Sequence, residues 1–359
     1  MNINFWKNKK VLITGHTGFK GSWLSLWLSE LGAKIYGVSD KIPTTPSNFK
    51  SSFVSDLVND TRIDIRDFNK LQEIIKKIKP DFIFHLAAQP LVKSSFENPL
   101  ETWQINTIGT INLLESIRLN LKECVVVFIT SDKVYDNQEW IWGYRENDKL
   151  GGPDPYSASK AGAELSISSY YRSYFKYDSK IKLCSVRAGN VIGGGDWAIN
   201  RIVPDCIRSW LVKKPVFLRN PNSTRPWQHV LEPLSGYLRA GEMLNENSCL
   251  HGESYNFGPS SDQNKSVRDL VVGLSEFFPS AKYEIKEEFL NNHSESKHLK
   301  LNCDKSHNEL GWLPTLNFEQ TLDLTAKWYK KFSKSPNQTR EISLEQIKYF
   351  TERSCAVLS

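Results

Sequence analysis

Apolar positions in the first half of the chain fall into two alternating patterns. Short runs rich in β-branched and aromatic residues, KKVLIT at 9–14, KIYGV at 34–38, DFIFHLA at 81–87, VVVFIT at 125–130 and IKLCSV at 181–186, have the length and composition of strands. Longer segments at about 19–31, 68–79, 98–120 and 157–175 carry the apolar spacing of helices. Strands alternating with helices are joined by right-handed crossovers, so the pattern predicts a parallel sheet. VVVFIT is apolar on both faces, as a central strand covered by helices on each side must be. The expected fold class is α/β, a doubly wound parallel sheet.

Beyond Arg187 the pattern changes to AGNVIGGGDW and then RNPNSTRPW, which have the composition of binding loops rather than core. YNFG at 255–258 reads as a strand returning to the sheet, with helices following at about 266–277 and 318–331. The polar stretch KSPNQTREIS then opens what reads as a partly mobile tail. These shifts predict a sheet domain over 1–187 with a returning segment at about 229–258. They also predict a smaller, discontinuous substrate domain over 188–228 and 259–335, and a polar tail over 336–359.

Composition narrows the class. With 359 residues the chain can bury a large core, and its 40% hydrophobic and 24% charged residues are ordinary globular values. The net charge of +6 is spread along the chain without a Lys/Arg block, which argues against a nucleic-acid-binding arm. Six cysteines form neither a CxxC pair nor a zinc-ligand spacing with histidine, so no metal site and no disulfide framework is expected. No apolar run reaches the length of a membrane span, and the N-terminus lacks a signal-peptide core, so a reducing cytoplasm is the expected compartment.

VLITGHTGFKGSWLSLWL sets Gly15, Gly18 and Gly21 between a strand and an amphipathic helix, with Thr17 and Phe19 in the same turn. Small residues let backbone approach a pyrophosphate, and the helix N-terminus offers free N–H groups and the positive end of its dipole. Asp40 ends the next strand, where a carboxylate can accept hydrogen bonds from ribose hydroxyls and repel a 2′-phosphate. That favours NAD over NADP, although Lys41 beside it works the other way. The sheet domain is thus expected to be an NAD-binding Rossmann domain.

YSASK at 156–160 puts Tyr156 and Lys160 one helical turn apart, and Ser131 ends the strand VVVFIT, where parallel-sheet sites form. A lysine ammonium near a phenol is expected to lower the tyrosine pKa, so that Tyr156 can take a proton from a hydroxyl as hydride leaves its carbon.

The glycine turn, DIRD at 64–67, HLAAQP at 85–90, Asn106, TSDKVY at 130–135, YSASK and RAGNVIGGGD at 187–196 together resemble the extended short-chain dehydrogenases that modify nucleotide sugars. The resemblance spans about residues 9–330. It implies that Asp64 and Ile65 flank the adenine, that Leu86, Ala87 and Ala88 line the cofactor, and that Asn106 supports the active-site end of its helix. GHTGFKGSWL, SDKVYDN, NVIGGGDW and RPWQHVLEPL are most similar to the branch that dehydrates CDP-glucose at C4 and C6. In the wider dehydratase pattern the strand end reads Thr-Asp-Glu; here it reads Ser131-Asp132-Lys133. By resemblance Asp132 protonates the leaving C6 hydroxyl. The C5 base is left open between Lys133 with its amine neutral and another group.

The same resemblance sets Arg225 and Asn190 on the diphosphate, makes Arg201 a second phosphate candidate, and implies a homodimer or homotetramer built through the helices near 98–120 and 157–175. His85 ends an apolar strand and reads as structural; His293 and His298 read as surface residues. Two rivals stand beside this reading. One is a 4-epimerase or reductase of the same superfamily, which has no need of an acid at Asp132. The other is a catalytically silent NAD-binding regulator, against which the intact Ser131, Tyr156 and Lys160 set argues.

Overall fold

A computed structural model describes residues 4–177, 180–260, 263–285 and 299–358, with His293 and His298 outside them. Its centre is a seven-stranded sheet of β1 (Lys10–Thr14), β2 (Lys34–Ser39), β3 (Val58–Arg62), β4 (Phe82–His85), β5 (Glu123–Ile129), β6 (Lys180–Ala188) and β7 (Ser254–Phe257). The order is 3-2-1-4-5-6-7 and every pairing is parallel. The order reverses between β1 and β4, the switch point outside which ligands bind in such sheets. β5 is buried from Cys124 to Ile129 because helices cover both its faces.

The covering helices are α1 (Phe19–Glu30), α2 (Phe68–Ile78), α3 (Gly109–Asn120), α4 (Pro155–Tyr170), α5 (Ile202–Leu211), α6 (Leu231–Glu246), α7 (Phe318–Lys334) and α8 (Thr339–Leu358). α1 is buried continuously from Gly21 to Leu28, and its Trp23 Nε1 donates to the Gly194 carbonyl at 2.9 Å, tying it to the GGGD segment. β7 joins β6 in register Ser254↔Ser185, where YNFG was expected to return.

Three elements differ from the sequence pattern. β3, VNDTR, has no apolar run: only Val58 is buried, and pairing with β2 at the sheet edge fixes it as a strand. The helix expected over 98–120 is broken into Pro99–Trp103, a π turn at Gln104–Ile108 and α3, and a second π turn at Tyr171–Phe175 follows α4. The expected polar, mobile tail is instead α8. Its Ile347 and Phe350 are buried, Phe350 meets the Trp27 ring edge at 5.7 Å, and Thr339 Oγ1 bonds Ser51 and Ser52, each at 2.9 Å. The polar residues of KSPNQTREIS belong to the link and first turn; the apolar residues behind them seal α1.

Candidate active site

The turn after β1 is built for close approach. Gly15 has φ +77°, and a Cβ there would come within 2.7 Å of the Ala87 nitrogen. A Cβ on Gly21 would collide with the Gly15 carbonyl, so the helix start can pack on the turn only without side chains. Thr17 Oγ1 donates to the Lys41 carbonyl at 2.7 Å, holding the turn against the end of β2, where Asp40 lies exposed with Oδ1 accepting from the Lys41 amide. Asp64 is gripped by Arg66, whose hydrogen bonds hold its carboxyl below the ordinary range, and Ile65 is buried under Gly109. Leu86, Ala87 and Ala88 line the exit of β4, with the Leu86 and Ala87 amides on Thr14. A glycine floor, a helix N-terminus and a carboxylate at the second strand end fit a dinucleotide.

Asn106 sits in the π turn and is buried. Its Oδ1 accepts from the Gln89 amide at 2.8 Å, and its Nδ2 donates to the Gln89 carbonyl at 3.1 Å and to Ser159 Oγ at 2.9 Å. It therefore clamps the loop after β4 to α4 at Ser159, next to Lys160. His85 bonds Thr14 and Thr110, and burial followed by the Lys160 charge pushes it down to about 3, so it is a neutral structural group.

Ser131, Asp132, Tyr156 and Lys160 meet at the carboxyl end of β5. Ser131 Oγ donates to Asp132 Oδ1 at 2.9 Å and accepts from the Lys133 amide at 3.2 Å, and its hydroxyl favours the ionised form of the buried Tyr156 phenol. Asp154 caps α4, its side chain accepting from the Ser157 amide and from Ser157 Oγ, which fixes the turn that carries Tyr156. Asp132 is buried against Gly189, where any side chain would overlap its carboxylate. Lys133 is half-buried in the same short turn.

The expected depression of the Tyr156 pKa is not found. Burial raises it, the Ser131 hydrogen bond and the Arg201 charge lower it, and Asp132 adds to the rise. Lys160 Nζ donates instead to the Ile129 carbonyl at 3.2 Å, and burial brings its own pKa down to about 8. Desolvating the phenol costs more here than Ser131 and the Arg201 charge return.

Among the loop residues, Arg201 belongs to the same electrostatic cluster, paired with Asp196 at 3.0 Å and acting on Tyr156. Asn190 lies beside Gly189 with φ +52°, its carbonyl accepting from the Gln228 amide at 3.3 Å. Arg225 sits on a ribbon formed by Thr224–Pro226 and Asn264–Ser266, its Nη1 on the Thr224 carbonyl, and is joined to the site through the backbone that runs to Gln228.

Two groups were absent from the sequence reading. Glu164, four residues after Lys160 on the same face of α4, accepts from Thr130, Ser185 and Arg187 at 2.6–2.8 Å and anchors α4 to β5 and β6. Lys20, in the first turn of α1, reaches the cluster with Nζ 3.2 Å from Tyr237 Oη. The i, i+4 spacing of Glu164 from Lys160 and a single lysine inside the apolar run of α1 were the available signals.

The sequence matches the family described as GDP-mannose 4,6 dehydratase over residues 12–325. It is 47% identical to a CDP-glucose 4,6-dehydratase of Salmonella typhimurium over 95% of this chain and 97% of that protein. It is 27% identical to a dTDP-glucose 4,6-dehydratase of Haemophilus influenzae over 89% and 97%. A solved dTDP-glucose 4,6-dehydratase from Bacillus anthracis in complex with NAD shares the fold, with a TM-score of 0.73 at 24% identity over 91% of this chain and 98% of that one. With the match running from β1 into α7, through the glycine turn and the Ser131-Tyr156-Lys160 cluster, the chain belongs to the GDP-mannose 4,6 dehydratase family.

Proposed function

We propose that this chain is an NAD-dependent hydro-lyase that converts CDP-glucose to CDP-4-keto-6-deoxyglucose. The observation that carries the reading is the buried Asp132 carboxyl hydrogen-bonded to Ser131, beside the buried Tyr156, in a chain similar along nearly its whole length to a CDP-glucose 4,6-dehydratase. An oxidation site and an acid are thus joined at one hydroxyl. The 4-epimerase reading gives the acid no task.

Bound in the glycine cradle, NAD supplies the hydride acceptor and donor of the cycle. Tyr156 Oη takes the proton of the C4 hydroxyl while Ser131 holds the same oxygen. The resulting ketone acidifies C5–H, and Asp132 delivers a proton to the C6 hydroxyl, which leaves as water. Lys133, next in the same turn, is assigned the C5 proton, which its amine can accept only when neutral. Asp40, Asp64, Ile65 and Leu86 to Ala88 are assigned to the cofactor, and Asn190, Arg201 and Arg225 to the nucleotide diphosphate. The division into a sheet domain and a discontinuous substrate domain belongs to the same reading.

Exposed Leu100, Trp103, Ile108 and Leu165 on the helices near 98–120 and on α4 support a homodimer or homotetramer. No described helix is long and apolar enough to cross a membrane. All six cysteines are free, which supports a reducing, cytoplasmic compartment.

The test is incubation with CDP-, UDP-, dTDP- and GDP-glucose, following the mass of a product one water lighter. CDP-glucose is expected to be consumed fastest. A clear preference for dTDP-glucose would move the chain to the neighbouring specificity.

A further inference from the structure

Lys20 interrupts an otherwise apolar helix. It follows the last turn glycine but one, in the sequence GFKGSWL, and its side chain is half-buried between α1 and α6. Nζ donates to Tyr237 Oη at 3.2 Å and lies 5.6 Å from the centre of the Tyr237 ring. Tyr237 is fully buried and its phenol pKa is raised by burial, so it is a neutral acceptor that holds the amine in place.

The charges that act on Lys20 are those of the catalytic end of the cleft. They are Arg201, Asp132, Lys160 and Asp196, and its partner Tyr237 lies on α6, which packs against β5 and β6, the strands that lead to Ser131 and Gly189. Tyr237 is in turn influenced by Tyr156 and Asp132. Bound NAD would exchange hydride with the carbon whose hydroxyl Tyr156 is proposed to deprotonate, so Tyr156 would border its nicotinamide. Lys20 borders that same space from the side of the glycine turn.

We propose that Lys20 is a positioning residue at the nicotinamide end of the cleft, whose tethered ammonium disfavours the cationic oxidised ring relative to the neutral reduced one and so eases the first hydride transfer. This rests on the NAD reading above. The sign follows from charge alone: NAD carries a positive nicotinamide and NADH a neutral one, so a fixed cation nearby is felt by only one of them. Burial first, and Arg201 second, hold the Lys20 amine down to about 7, while Asp132 favours its charged form.

The test measures equilibrium binding of NAD and of NADH separately to the full-length chain freed of dinucleotide, in wild type, Lys20→Met, Lys20→Arg and Tyr237→Phe. Lys20→Met is expected to tighten NAD relative to NADH by about tenfold, as removal of a unit charge several ångströms away in a partly buried site should. Lys20→Arg is expected to keep the wild-type ratio. Tyr237→Phe, which removes only the anchoring oxygen, is expected to shift the ratio the same way by a smaller factor, and it serves if the Met variant fails to fold. A role confined to packing α1 would weaken both ligands equally. An unchanged NAD-to-NADH ratio in both Lys20→Met and Tyr237→Phe overturns the proposal. Failure of the wild type to bind either dinucleotide would overturn the cofactor reading itself, and this proposal with it.

Discussion

Ser131 Oγ lies 2.9 Å from Asp132 Oδ1, so the hydroxyl proposed to serve the oxidation touches the carboxyl proposed as the acid of the elimination step. Because the two functions are joined but chemically separate, they can be disconnected. Asp132→Asn keeps the hydrogen-bonding shape and removes the transferable proton. Hydride transfer is then expected to proceed while elimination stalls, so that single-turnover mixtures accumulate the absorbance of reduced cofactor. Wild-type elimination in this variant would leave Asp132 a structural partner of Ser131.

Tyr156→Phe removes the proposed proton acceptor without touching the glycine turn. NAD binding is expected to stay within a factor of a few, while kcat falls by about a hundredfold to ten-thousandfold, the range of a general base. Dinucleotide titration beside steady-state assay separates the two effects.

Gly189 is expected to be intolerant of a side chain for a reason distinct from folding. A Cβ there overlaps the Asp132 carboxylate, so Gly189→Ala must move either the loop or the acid. The expected phenotype resembles that of Asp132→Asn, with reduced cofactor accumulating and thermal stability nearly preserved. Loss of stability with the partial reactions kept in proportion would count against this account.

Glu164 predicts a stability effect with a definite sign. It is buried, it accepts from Arg187 Nε at 2.8 Å, and although burial opposes ionisation, Arg187, Thr130 and Ser185 together hold its pKa below the ordinary 4.5. A group whose folded pKa is depressed stabilises fully above its unfolded value and loses that contribution as pH falls through the folded one. Acid unfolding of the wild type is therefore expected to include a component below 4.5 that Glu164→Gln lacks. At neutral pH the variant leaves Arg187 buried without its counter-charge, and a loss of about 3–5 kcal/mol is expected from denaturant titration.

Much of this was legible in the sequence because it is local. Strand runs, the glycine turn and the Tyr156–Lys160 spacing are written in contiguous residues, and the parallel order follows from strand-helix alternation. What escaped depends on distant partners. β3 is a strand only because β2 pairs with it, and α8 is ordered because Trp27 and Ser51 wait for Phe350 and Thr339. Lys20 acquires meaning from Tyr237, 217 positions away. The Tyr156 shift runs opposite to the Tyr156–Lys160 spacing because burial, which spacing does not report, outweighs Ser131 and the Arg201 charge.

On the proposed mechanism one cofactor molecule carries hydrogen from C4 to C6 while water leaves between the two. Turnover of CDP-glucose deuterated at C4 tests it most directly, with the product analysed by NMR and mass spectrometry. The account predicts deuterium at C6 of a 4-keto-6-deoxy product and solvent hydrogen at C5. Deuterium retained at C4, or a product that still carries its C6 hydroxyl, would contradict it.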